Sequence, residues 1–150
     1  MKRIALTAGL ASVVLGLSAS SALARPLTLH VVSVTATDHL VDNPPANSSP
    51  QTATPGDVDV FTDRVLAGVR QIGRDAGACT MTDSAHALCD VTMVLFRRGT
   101  LEFHGLANFS VQAAQPVAVV GGTGQFAGRR GWALVRNVGA TRTAVSIHLL

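Results

Sequence analysis

Val117-Ala-Val-Val-Gly-Gly-Thr-Gly-Gln-Phe-Ala-Gly-Arg-Arg-Gly-Trp-Ala-Leu-Val135 decides how this chain is read. It is an apolar run, a glycine-studded link and a second apolar run. Gly121, Gly122, Thr123 and Gly124 lie where an extended segment must reverse, and glycine alone reaches positive φ without steric cost. Gly128 and Gly131 keep the returning segment thin. The same letters imitate a dinucleotide-binding fingerprint, Gly122-x-Gly124-x-x-Ala127 after an apolar strand. That fingerprint needs a following helix to receive the pyrophosphate and an acidic residue further on to hold the ribose. Neither is present. Residues from Trp132 onward are β-branched, interrupted by Gly139 and without helical periodicity, and no Asp or Glu follows Glu102. The stretch is therefore strand, turn, strand.

The rest of the chain repeats that pattern. Leu27 to Thr35 has the β-branched content of a strand, and His39 to Gly56, packed with Pro, Asn and Ser, reads as a long irregular excursion. Asp57 to Leu66 alternates Val58 and Val60 with Asp57, Asp59 and Asp63 and forms the next strand. Gln71 to Gly77 runs into a hairpin around two cysteines, Cys89 to Phe96 is a strand, Arg97-Arg-Gly99 turns, and Thr100 to Phe109 returns. Val117 to Val120, Trp132 to Arg136 and Arg142 to Leu150 complete the set. No convincing amphipathic helix intervenes, so the fold class is all-β. Strands apolar on both faces, such as Val91 to Phe96 and Val145 to Leu150, favour a closed antiparallel barrel over a two-sheet sandwich. Closure also removes exposed sheet edges.

The N-terminus is an address. Met1-Lys2-Arg3, an apolar run from Ile4 to Leu17 too short to span a bilayer, and Ala22-Leu23-Ala24 form a cleavable export signal over residues 1–24. Residues 25–150 then make one exported domain, secreted or periplasmic, with no stable membrane anchor after processing. The formal charge of +3 falls to +1 once Lys2 and Arg3 leave, with ten arginines spread against nine acidic residues. That spread and the scarcity of aromatic residues exclude a nucleic-acid surface. Cys79 and Cys89 are the only cysteines, and in an oxidising compartment they form one disulfide. A turn at Asp83-Ser84-Ala85 places them opposite each other on antiparallel strands. Their spacing fits neither a Cys-x-x-Cys redox pair nor a metal site.

Gly121-Gly-Thr-Gly-Gln-Phe-Ala-Gly-Arg-Arg-Gly131 resembles the glycine turn of the allene oxide cyclase and dirigent barrels. The order Asp57 to Thr62, Ile72-Gly-Arg-Asp-Ala-Gly-Ala-Cys79, Cys89 and Gly99-Thr-Leu-Glu102 resembles the small secreted bacterial members in particular. The resemblance implies an eight-stranded antiparallel barrel with an apolar interior, often a trimer, needing no cofactor. Plant members cyclise an unstable epoxide or hold phenolic intermediates so that one stereochemical course prevails. Arg129 stands where the family has a small residue, so Arg130 is the motif arginine, Trp132 follows Gly131 in place of the usual residue, and the chain has no Tyr.

Candidate site residues follow from residue type and spacing. Glu102 and His104, two apart on one strand, share a face and form an acid-base candidate, with a solvated outer face as the plainer reading. Asp42, before Asn43-Pro44-Pro45, is a second catalytic candidate or a turn former. Arg130 and Trp132, with His104, are candidates for ligand binding; Arg130 also suits pinning the turn. The five histidines show no metal-binding spacing and no nucleophile elbow occurs. The expected partner is a small apolar molecule. Three functions fit: a binding or stereochemistry-directing barrel, a cofactor-independent cyclase or isomerase, and a structural domain with a filled interior. An interior closed by Met93, Phe96, Phe103 and Trp132 would give the third, and an open cavity with an inward carboxylate favours catalysis.

Overall fold

The computed structural model describes residues 25–44 and 53–150. The export signal expected over residues 1–24 lies outside the described residues. Eight strands follow one another: β1 (Leu27–Val41), β2 (Val58–Ala67), β3 (Arg70–Met81), β4 (His86–Leu95), β5 (Gly99–Asn108), β6 (Gln115–Gly122), β7 (Gly131–Gly139) and β8 (Arg142–Leu149). Each pairs antiparallel with its neighbours, and β8 returns to β1, so the sheet closes into a barrel. The sandwich alternative is excluded by that closure.

One boundary differs from the sequence expectation. β1 does not end near Thr35 but runs to Val41, so His39 to Val41 belong to strand and not to the excursion. A register shift between Thr35 and Thr37 permits this: the bulge absorbs a residue, after which His39 and Val41 pair with Val60 and Val58. The same bulge reverses which residues point inward.

The barrel has two unlike halves. At the end holding the β2–β3, β4–β5 and β6–β7 connections, Val65, Leu95, Leu101, Val119, Phe126, Ala133, Ile147 and Leu149 fill the interior and are essentially sealed from solvent. Burying each large side chain there contributes about 1.5–3 kcal/mol. Phe126 is the plug. It sits on a single 3-10 turn, Gly124–Phe126, and the Arg98 guanidinium lies 5.0 Å from its ring centroid.

The glycine link does more than reverse the chain. Gly121 and Gly122 remain in β6, and positive φ occurs at Gly124 and Gly128 instead. The link docks against the β4–β5 turn: Gln125 N donates to Arg98 O at 2.7 Å, Thr123 N to Thr100 O at 3.0 Å, and Thr100 N to Thr123 Oγ1 at 3.1 Å. A Cβ at Gly99 would collide with Thr123 O, and one at Gly124 would lie 2.5 Å from Arg98 O. Two backbones approach where no side chain fits between them.

Candidate functional site

The other half of the barrel is open. Its interior holds a cavity of about 250 Å³. One wall, from the later strands, is apolar and includes Val91, Met93, Phe103, Val117, Val135 and Val145. The Cys79–Cys89 disulfide also borders the space, joining residues directly opposite each other on β3 and β4, as the sequence spacing requires.

The facing wall is β1–β2–β3, and it is acidic. Asp59, Phe61, Asp63 and Val65 alternate with outward residues along β2, so Asp59 and Asp63 point inward on either side of Phe61. Asp75 on β3 is directly opposite Asp63. Asp38 joins them from β1, lying beyond the bulge that changes the strand's inward parity. Four of the nine acidic residues therefore line one cavity.

They form two pairs. Asp75, only 4% exposed, accepts a 2.6 Å hydrogen bond from Ser33 Oγ. Its Oδ1 and Asp63 Oδ1 are buried with no donor in reach. The two carboxyl groups meet, and a proton kept on Asp63 is the group that satisfies the contact. Burial, then the Asp75 charge, pushes Asp63 up to about 7, against a smaller lowering hydrogen bond from Thr35. Burial pushes Asp75 up as well. Asp59 is raised to about 7 by burial first and then by its hydrogen bond to Asp38. Carboxyl groups that hold protons near neutrality inside a cavity are suited to general acid and base work.

The mouth is braced by a third kind of aspartate. Asp57 is buried and accepts from Asn43 N at 2.9 Å, Thr54 N at 2.7 Å and Thr54 Oγ1 at 3.1 Å, while Asn43 Nδ2 donates to Gly56 O. The backbone donors hold Asp57 below its ordinary value. It ties the end of β1 to the start of β2.

The residues singled out from sequence fall elsewhere. Glu102 alternates with buried Leu101 and Phe103, so it faces outward and accepts a 2.6 Å hydrogen bond from Thr92 Oγ1. His104 borders the cavity, yet its imidazole reaches Asp90 at 2.7 Å on the exposed outer face. Asp42 is exposed just after β1, beside the Asp57 brace, and does not line the cavity. Arg130 is exposed at the closed end, where its carbonyl accepts from Leu150 N at 2.8 Å. Trp132 is 44% exposed and stacks on His148 at 4.0 Å outside the barrel. Phe96 is also exposed, so only Met93 and Phe103 of the four expected closing residues face the interior. The structure does not bring Glu102, Asp42, Arg130 and Trp132 together at the cavity.

The acidic wall was missed, although the sequence held a signal for it. Arg64 follows Asp63 and Arg74 precedes Asp75, and these arginines are cross-strand partners. A pair of arginines facing outward forces the adjoining aspartates inward.

A family model described as Dirigent-like protein matches residues 28–149. Among solved structures, a pyocyanin demethylase is 23% identical with a TM-score of 0.71, over 83% of this chain and 100% of that one. The pterocarpan synthase dirigent protein PsPTS1 is 20% identical with a TM-score of 0.72, over 84% of this chain and 95% of that one. The pterocarpan synthase dirigent protein GePTS1 is 18% identical with a TM-score of 0.68, covering 83% and 87%. No curated protein matches the chain.

Proposed function

The chain belongs to the dirigent-like family, and from that premise we propose that it binds a small apolar molecule in the open half of the barrel and directs its reaction through the paired carboxyl groups. One observation carries this reading. Asp63 and Asp75 meet inside a cavity whose facing wall is apolar, where a structural role would be filled better by apolar side chains. The apolar wall would hold the ring or chain of the ligand, and Asp63 or Asp59 would deliver or accept a proton at the reacting atom. Acid-assisted isomerisation, cyclisation or stereochemically directed coupling all use that arrangement. The filled structural domain is disfavoured by the open cavity.

The same proposal includes export with cleavage before Arg25 and assembly as a homo-oligomer. N-terminal sequencing of the exported protein and its native mass test these directly. The ligand reading is tested by native mass spectrometry of the exported protein for a co-purified small molecule. Ala107 lines the cavity, and Ala107→Trp fills it. Loss of the bound mass in that variant supports the proposal, and its retention places the ligand elsewhere.

A further inference from the structure

We infer that the ligand of this cavity carries a positive charge, as a protonated amine or a cationic nitrogen heterocycle on a flat apolar body. The inference rests on the ligand-binding reading above and names the class of molecule that fits it. Charge comes first. Asp38, Asp59, Asp63 and Asp75 line one wall, and none of the residues lining the cavity is Lys or Arg. The remaining walls offer no countercharge: β6, β7 and β8 contribute Val117, Val135, Asn137, Thr143 and Val145. On β5, His104 borders the space but its ring is engaged by Asp90 outside.

Burial supplies the second observation. Asp75 is 4% exposed, and its Oδ1, like Asp63 Oδ1, is buried at the cavity wall where the two carboxyl groups meet, with no donor from any other side chain. Ser33 satisfies only the other oxygen of Asp75. No lining side chain donates to these atoms, so they are met by a proton shared between the two carboxyl groups or by a donor that the ligand brings, and a cationic N–H is the donor that also offsets the charge of the acidic wall. Shape supplies the third. Phe61 stands between Asp59 and Asp63 on the same face of β2, so a cationic centre placed at the carboxyl groups lies beside an aromatic ring. No three acidic, imidazole or thiol groups among the described residues are arranged to hold a metal ion, which leaves an organic cation.

The charge balance is simple. A pair holding one proton is singly anionic; a cation beside it favours the doubly ionised pair, and the proton leaves to solvent. Binding should therefore release up to one proton near neutrality, and cation affinity should rise with pH, because Asp59 and Asp63 give up their protons at about 7.

Three matched probes test this: 1-naphthylmethylammonium, the neutral 1-naphthylmethanol and the anionic 1-naphthoate. Isothermal titration in two buffers of different ionisation enthalpy reads affinity and proton release together. At pH 8 the ammonium should bind at least tenfold more tightly than the alcohol, with the gap closing toward pH 5 and the naphthoate weakest. Asp59→Asn with Asp63→Asn leaves one carboxyl group in each pair, so the gap at pH 8 should shrink to its pH 5 value and stop varying with pH, while binding of the alcohol reports that the variant is folded. Asp83→Asn, a carboxyl group on the outer β3–β4 turn, should change nothing. Equal or tighter binding of the alcohol or the naphthoate would overturn the charge inference and leave the apolar-ligand reading standing. Failure of all three probes to bind, or binding unaffected by Ala107→Trp, would overturn both.

Discussion

Acidifying the protein from pH 8 to pH 5 is expected to stabilise it. Asp59 and Asp63 hold their protons up to about 7 in the folded barrel, whereas an ordinary aspartate ionises near 3.8. A carboxyl group raised by folding adds stability that is complete below its unfolded value and is lost as pH climbs through its folded value. The window therefore lies between about 4 and 7. Taken alone, a rise of this size corresponds to about 4 kcal/mol for one group. Both groups are only half-buried and open to cavity water, which cuts the effective contribution to roughly 1–2 kcal/mol per pair. Two pairs then give about 2–4 kcal/mol, or some ~8–16 °C in thermal midpoint for a domain of this size. Below pH 4 the trend reverses. Asp57 and Asp83 are held below their ordinary values, so the stability they add is present above 3.8 and lost as pH falls through their folded values. Circular dichroism melts from pH 3 to pH 8 should thus rise from pH 8 through pH 5 and peak near pH 4. Asp63→Asn should gain roughly 1–2 kcal/mol at pH 8, little at pH 5, and flatten the curve between them. A parent protein whose midpoint rises from pH 5 to pH 8, or an Asn variant no more stable than the parent at pH 8, would refute the paired-carboxyl reasoning.

Replacing both Cys79 and Cys89 by Ala opens a link of sequence separation 10 and should cost about 2–3 kcal/mol in urea unfolding. Gly99→Ala combines a φ of 124° with a collision at the Thr123 carbonyl, and its cost of about 3 kcal/mol or more should appear as a large fall in the denaturation midpoint. Asp57→Ala removes the acceptor for three hydrogen bonds, one from Asn43 past the end of β1 and two from Thr54 in the segment leading into β2, and should lower the thermal midpoint and abolish the stability loss assigned to Asp57 below pH 4.

The sequence showed the strands well and the faces badly. Val91 to Phe96 and Val145 to Leu150 are apolar at nearly every position, which marked them as strands covered on both sides and hence as parts of a closed wall. The cysteine hairpin was legible because two strands and a short turn leave one register, and Cys79 does pair with Cys89. The acidic wall failed a different test. Alternation says that Asp59 and Val60 point opposite ways, but not which way is in. A polar-outward rule would turn Val58 and Val60 inward, yet in the barrel they lie on the outer face, paired with Val41 and His39 of β1. Asp38 was hidden further, since its inward placement depends on a bulge that shifts the register between Thr35 and Thr37 and leaves no mark in residue type.

That inversion bears on what the cavity is for. A barrel gains stability by filling its interior with apolar side chains, as the closed half does around Phe126 and Ile147. The open half departs from this within the same strands: β2 carries Val65 in the sealed end and Asp63 and Asp59 in the cavity, only two and six positions away. The carboxyl groups are not needed to hold the strands together, because the β1–β2–β3 ladder is made by backbone and Asp57 already braces the mouth. They oppose folding at neutral pH through mutual repulsion and lost hydration. A feature that lowers stability, borders an apolar wall and keeps its protons near pH 7 is the feature that the proposed ligand-binding role accounts for. Asn at Asp59 and Asp63 should therefore separate the two roles, raising the melting temperature at pH 8 while weakening the preference for a cationic probe there and removing its rise with pH. Variants that gained stability and kept that preference undiminished would show that the charge recognition lies outside these pairs.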